Sequence, residues 1–167
     1  MKRIGFLLTV AMLLAFTGCQ IRYSFSGGQF SGAKTFSVVY LKPATALASP
    51  TYAQRITESL KDVMLSQSPL TLVDKKGDLM YEGSIVNYAV SPVNIQSNET
   101  AALSRLTIGI KIKYTNNLEP ELNFEKTFTK FADFPATSSL FSVEEDLWKQ
   151  INDQLVQEIY NASVGNW

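Results

Sequence analysis

The chain has 167 residues, with 15 basic and 15 acidic side chains and no histidine. This balance gives no support for nucleic acid or another polyanion as a partner. The absence of histidine removes the commonest general base, the Ser-His and Cys-His nucleophile pairs and most zinc sites. The sequence also has no Gly-rich phosphate loop and no paired metal-ligand spacing. These observations leave no candidate catalytic residue, metal site or cofactor site in the sequence.

The N-terminal segment is typical of a secretory signal. Lys2 and Arg3 supply positive charge, and residues 4–16 form an apolar run. That run is shorter than the roughly 20 residues that span a bilayer. It ends in Phe-Thr-Gly-Cys at residues 16–19, which resembles the lipobox of bacterial lipoproteins, although Phe16 stands where an aliphatic residue is usual. The resemblance implies cleavage after residue 18 and lipid on Cys19.

Cys19 is the only cysteine, so it has no disulfide partner within the chain. The alternative to lipidation is a buried free thiol. Lipidation would anchor the protein to a membrane, since two or three acyl chains bind stably where one is marginal. Gln20 implies, by analogy with lipoprotein sorting, export to the outer membrane on its periplasmic side. We predict a signal peptide over 1–18, a lipidated N-terminus and tether over 19–34, and a single domain over 35–167.

The first half of this domain begins with a predicted strand over residues 35–41 that Pro43 ends. Ser49-Pro50 then opens a helix, which Ser68-Pro69 stops. Its apolar residues recur at helical spacing and predict a core-facing stripe. The stripe consists of Ala53, Ile56, Leu60, Val63 and Met64.

The second half is predicted to be mostly sheet. A short strand over 70–74 and a turn precede a long strand over 79–90, and a loop follows over 91–100. Residues 101–115 show the cleanest alternation in the chain, with the even positions 106 to 114 apolar, which predicts one buried and one wet face. A turn then leads to a strand over 123–133, and its inward lysines, Lys126 and Lys130, place it at the sheet edge.

The last predicted element is a long helix. Ser142 and Glu145 match the capping box, and residues 144–146 would complement the positive helix start. The order strand, helix, four strands, helix predicts an α+β fold. In this two-layer sandwich, both helices pack on one face of a mainly antiparallel, mixed sheet of about four to five strands, with room for one parallel pairing. The core stripe of the helix is Leu147, Trp148, Ile151, Leu155 and Ile159.

Several short motifs, in their order and spacing, resemble one family over nearly the whole mature chain. After the lipobox come Tyr-Ser-Phe-Ser-Gly at 23–27, Gly-Asp-Leu-Met-Tyr-Glu-Gly at 77–83, Ser-Arg-Leu-Thr-Ile at 104–108, Phe-Ala-Asp-Phe at 131–134, Ile-Tyr-Asn at 159–161 and a terminal Asn-Trp. The chain is similar to the LPS-assembly lipoprotein family, LptE. That resemblance implies a non-enzymatic outer-membrane lipoprotein that plugs a β-barrel, the LPS-assembly protein LptD, and delivers lipopolysaccharide. The alternative is a free-standing periplasmic binding or scaffolding lipoprotein with a similar sandwich.

Three cations share the predicted wet face of the alternating strand: Arg105, Lys111 and Lys113. Residues two apart along a strand lie about 6–7 Å from each other on the same side. Because lipopolysaccharide carries phosphates and Lys and Arg bind phosphates, these residues are candidate ligand contacts. The alternative is a solvated sheet face that the lysines keep soluble.

Overall fold

The computed structural model describes Phe30, residues 32–93 and residues 102–165. Two helices pack against a sheet of six strands. In chain order the elements are β1 Thr35–Val38, β2 Lys42–Pro43, α1 Pro50–Gln67, β3 Thr71–Leu72, β4 Leu79–Val93, β5 Leu103–Asn116, a 3-10 helix Pro120–Leu122, β6 Phe124–Pro135 and α2 Leu140–Ser163.

The sheet has the order β3-β1-β4-β5-β6, with β2 pairing to β4 beside β1. The pairs β4–β5 and β5–β6 are antiparallel, whereas β1–β3, β1–β4 and β2–β4 are parallel. The predicted α+β sandwich with a mixed sheet is confirmed. The expectation of one parallel pairing was too low. β1 lies between β3 and β4 and is parallel to both, and the strand predicted over 35–41 ends at Val38 and is followed by a second parallel pairing with β4 at Lys42–Pro43.

Helix α1 begins and ends where the sequence predicts. The Ser49 side chain accepts a hydrogen bond from the Tyr52 amide at 3.1 Å, and Pro50 occupies the first turn. Ser68 ends the helix, with its amide donating to the Met64 carbonyl at 3.1 Å. Capping of this kind satisfies amide and carbonyl groups that have no partner inside the helix.

Helix α2 begins one turn earlier than predicted, so the assignment of Ser142 as its cap is wrong. Ser139 is the N-cap and accepts from the Ser142 amide at 3.3 Å. The earlier start adds Leu140 to the residues that pack against the core. Glu145 does not reach back to Ser142; it pairs with Arg55 of α1 at 2.7 Å.

The core lies between the sheet and the two helices. The apolar positions of β5 are fully buried, as the alternation predicts, so the predicted register of this strand is confirmed. Within the described part of the chain, no helix covers the opposite face of β4, β5 and β6. The buried set includes Leu106, Ile108, Ile110 and Ile112 from β5, Ile56 and Leu60 from α1, and Leu147, Ile151 and Leu155 from α2.

Strand β4 is three residues longer than predicted. β4 continues through Val93, since Ser91–Val93 pair with Leu103–Arg105. The predicted loop over 91–100 is therefore wrong for its first three residues, and 94–100 lie outside the described residues. β6 lies at the sheet edge as predicted, and its Lys130 is held by Glu158 of α2 at 2.9 Å.

The chain enters the sheet at the end where β4 begins. Asp78 Oδ2 accepts hydrogen bonds from the amides of Lys34 and Thr35 and from the Thr35 hydroxyl, each at 2.9 Å. These bonds to its charged form lower the pKa of Asp78. The preceding Gly77 crosses β1 so closely that a Cβ there would lie 2.6 Å from the carbonyl carbon of Phe36. These contacts hold residues 34 and 35 at the end of the domain where β4 begins.

Candidate functional site: the open face of the sheet

The open face consists of the side chains of β4, β5 and β6 that point away from the helices. Residues directly opposite on neighbouring strands share a face. The pairing therefore places each of the three predicted cations beside specific partners on the adjacent strands. The charged, hydroxyl and aromatic members of this face include Glu82, Ser84, Arg105, Thr107, Lys111, Lys113, Glu125, Thr127, Thr129, Phe131 and Asp133.

The two lysines form a charge ladder across the sheet. Lys113 lies opposite Glu82 of β4 and Glu125 of β6, and its Nζ is 3.7 Å from Glu82 Oε2. Lys111 forms an ion pair with Glu125, and that hydrogen bond is the main reason that the pKa of Glu125 is lowered. With Ser84 and Gly83, these residues line an open depression of about 280 Å³.

Arg105 is held more firmly than the two lysines. Its Nε and Nη2 donate to the two carboxylate oxygens of Asp133, at 2.7 and 2.9 Å. The guanidinium carbon lies 3.7 Å from the centre of the Phe131 ring. The bidentate bond lowers the pKa of Asp133 and raises that of Arg105. Planar guanidinium suits such a fork and such stacking.

The structure thus places Arg105, Lys111 and Lys113 on one face, each with a carboxylate partner. An incoming anion must share or replace that partner, and Lys113, with the longest ion-pair distance, is the most available of the three. The alternation of β5 alone does not reveal the acidic partners. The register of the β5–β6 hairpin could have revealed them. Pairing Ile110 with Phe128 places the charged residues of β5 beside those of β6.

In the residues that the structure describes, no group of three His, Cys, Asp or Glu side chains could hold a metal ion. The helices within that same part of the chain are each too short or too polar to cross a membrane. Cys19 lies outside the described residues, and its lipidation stays a prediction.

Solved structures with the same fold come from several bacteria. A minor lipoprotein from Acinetobacter baumannii has a TM-score of 0.50 at 13% identity, covering 77% of this chain and 91% of that one. A hypothetical protein from Chlamydia trachomatis has a TM-score of 0.53 at 6% identity, with 80% and 99% covered. A protein from Xanthomonas campestris has a TM-score of 0.53 at 10% identity, with 77% and 82% covered. At such low identity these matches show the fold alone.

The fold defines a class of small bacterial α+β sandwich domains that includes a lipoprotein. Within this class, the family model described as "LptE: Lipopolysaccharide-assembly" matches residues 33–163, and the chain belongs to that family. It is therefore a non-enzymatic outer-membrane lipoprotein of lipopolysaccharide assembly, which confirms the resemblance noted in the sequence. A search of curated proteins finds no significant match.

Proposed function

We propose that the protein is anchored by lipid at Cys19 on the periplasmic side of the outer membrane, and that it assembles with and plugs the LPS-translocating β-barrel, LptD. The observation that carries this proposal is the extent of the family match. It begins two residues before β1 and ends with the last residue of α2, so it includes every helix and strand of the domain.

The open face supports a place inside a barrel. The lumen of an outer-membrane barrel is polar. Lys111, Lys113, Arg105 and their carboxylate partners form a surface whose charges already compensate one another. Burying such pairs against polar groups costs less than burying unpaired charges. The face therefore suits a wet, polar wall better than an apolar one.

The direct test is co-purification from native membranes. We expect the C-terminally tagged full-length protein, extracted in mild detergent, to elute with the barrel in a one-to-one ratio. Stoichiometry is read from the two bands after size exclusion, and the barrel is identified by mass spectrometry. Elution of the tagged protein as a monomer without a barrel would contradict the proposal and favour a free-standing periplasmic lipoprotein.

The lipid anchor is tested by Cys19→Ser. Because only the thiol can take the first acyl chain, we expect the variant to remain as uncleaved precursor or to appear as a soluble form. Gel mobility and palmitate incorporation report the processing, which is a cleaner readout than location since a barrel could retain protein without lipid. Normal maturation of Cys19→Ser at the wild-type level would refute lipidation at this residue.

Lipopolysaccharide is the second proposed partner, with its phosphates at Arg105, Lys111 and Lys113. We expect replacing Lys111 and Lys113 together with Gln to weaken binding of purified lipopolysaccharide, most clearly at low salt where charge contacts are least screened. Recovery of the barrel complex is measured in parallel, because lost lipopolysaccharide binding with an intact complex would support a ligand site. The matched control is Lys149→Gln, an exposed lysine of α2 that also has a carboxylate partner, Asp153. Equal binding by the double variant and the control would identify the lysines as a solvated face only.

A further inference from the structure

Three exposed apolar side chains lie at the end of the domain where both helices begin. They are Leu47, Val90 and Phe141, with 68%, 46% and 90% of their surface exposed. Tyr88 of β4 marks this end, because its hydroxyl donates to Glu144 of α2 at 2.5 Å and its ring centre lies 5.7 Å from that of Tyr52 in α1. We call the three side chains the end patch.

Val90 and Phe141 lie on the helix side of the sheet at the same end of the domain. Val90 lies opposite the buried Leu106, so it points to the helix side like Tyr88, and it lies about 6–7 Å further along the strand. Phe141 precedes Glu144 by three residues, or about 4.5 Å of helix rise. Along their own elements, both residues are therefore displaced from the Tyr88–Glu144 hydrogen bond toward this end of the domain. Leu47 lies two residues before Ser49, the N-cap of α1, which also begins at this end.

Packing of the core does not explain why residue 141 is a phenylalanine. The core-facing stripe of α2 begins with Leu140 and Val143, which pack against the core, and continues with Leu147. Phe141 lies off this stripe and is almost fully exposed. A large aromatic side chain held on a rigid helical turn has the properties of the residues that contribute most to protein–protein binding.

We infer that the end patch is a contact surface for the barrel partner, with Phe141 inserting into an apolar pocket that basic side chains surround. This inference rests on the proposed function. The charge next to Phe141 supports it, because residues 144–146 are all acidic and lie within about one turn, with Arg55 as the basic residue paired to one of them. A basic rim would complement this surface.

The same acidic residues disfavour the other occupants. In a two-fold dimer the patch would meet a copy of itself, and the two acidic turns would face each other. An anionic membrane surface would repel them in the same way. Lys34 and Thr35, at the start of β1, lie at the opposite end of the domain, where Asp78 accepts their amide hydrogen bonds.

Photo-crosslinking in the intact complex tests the inference. We expect Phe141→p-benzoylphenylalanine in the full-length lipoprotein, produced together with its barrel, to yield an adduct that contains both chains. The control is the same substitution at Leu65 of α1, which is 48% exposed and belongs to the last turns of the helix, away from the patch. An adduct with a second copy, an adduct with lipid alone, or none while the barrel still co-purifies would overturn the inference.

A binding measurement separates this inference from the proposed function. We expect Phe141→Ala to bind the barrel at least about tenfold more weakly, with an unchanged melting temperature because the side chain is exposed. Leu65→Ala should leave the affinity unchanged. If wild-type protein recovers no barrel, the proposed function and this inference both fail. If Phe141→Ala binds as tightly as wild type, only the inference fails.

Discussion

Replacing Ile110 by alanine is expected to destabilise the protein by about 2–5 kcal/mol. Ile110 is fully buried in the middle of β5, between Ile85 of β4 and Phe128 of β6. β5 cannot move toward the helices without breaking its hydrogen-bond ladders to β4 and β6, so the cavity would close only in part. Such a loss is a large share of the roughly 5–15 kcal/mol that stabilises a typical domain.

Urea unfolding monitored by circular dichroism measures this effect, since the free energy falls linearly with denaturant. Leu65→Ala is the matched control, because it also removes three carbons but from a side chain that is 48% exposed. We expect the control to change stability by no more than about 0.5 kcal/mol. Equal losses in the two variants would show that β5 is not the centre of the core.

The alternation of β5 was predictable because the sheet has one buried and one open face. Moving the register by one residue would put Ile110 in water and Lys111 in the core. No other arrangement of these residues satisfies both faces, so local sequence decides the orientation. The stripe of α1 was predictable for a similar reason, with Ser49 and Ser68 marking its ends.

The start of α2 was not predictable from capping residues alone. Ser139 and Ser142 are both good N-caps, and Glu145 favours the later one. What decides between them is a tertiary contact, the packing of Leu140 against the core. The acidic residues near the helix start then serve other elements: Glu144 binds Tyr88, and Glu145 binds Arg55.

The candidate site was predictable in part. Alternation placed Arg105, Lys111 and Lys113 on the wet face, but it says nothing about which strands lie beside them. Two of the carboxylate partners are 28 or more residues away along the chain, and the third, Glu125, lies across the β5–β6 hairpin from Lys111. The pairing register therefore decides which carboxylate lies beside which cation. The end patch depends on tertiary structure even more, because it joins residues from three separate elements.

Replacing Trp148 by alanine is expected to destabilise the protein by about 3–5 kcal/mol. Trp148 is 5% exposed, and its ring centre lies 5.2 Å from that of Tyr52. Its Nε1 donates to the Tyr88 hydroxyl at 2.9 Å, and that hydroxyl donates in turn to Glu144. Burial raises the pKa of Tyr88, so this hydroxyl stays protonated as a donor. The variant would therefore lose both aromatic packing and one bond of a chain that joins α2 to β4.

Trp148→Phe separates the two contributions, because it keeps an aromatic ring but removes the indole N–H. We expect Trp148→Phe to lose about 1 kcal/mol of stability from the missing hydrogen bond and a smaller amount from the smaller ring. Its free energy of unfolding should therefore stay well above that of Trp148→Ala. Packing contributes more to stability than the hydrogen bond, because the indole fills space between α1, α2 and β4 and its removal leaves a cavity. A loss in Trp148→Phe as large as that in Trp148→Ala would instead assign the stability to the hydrogen bond with Tyr88.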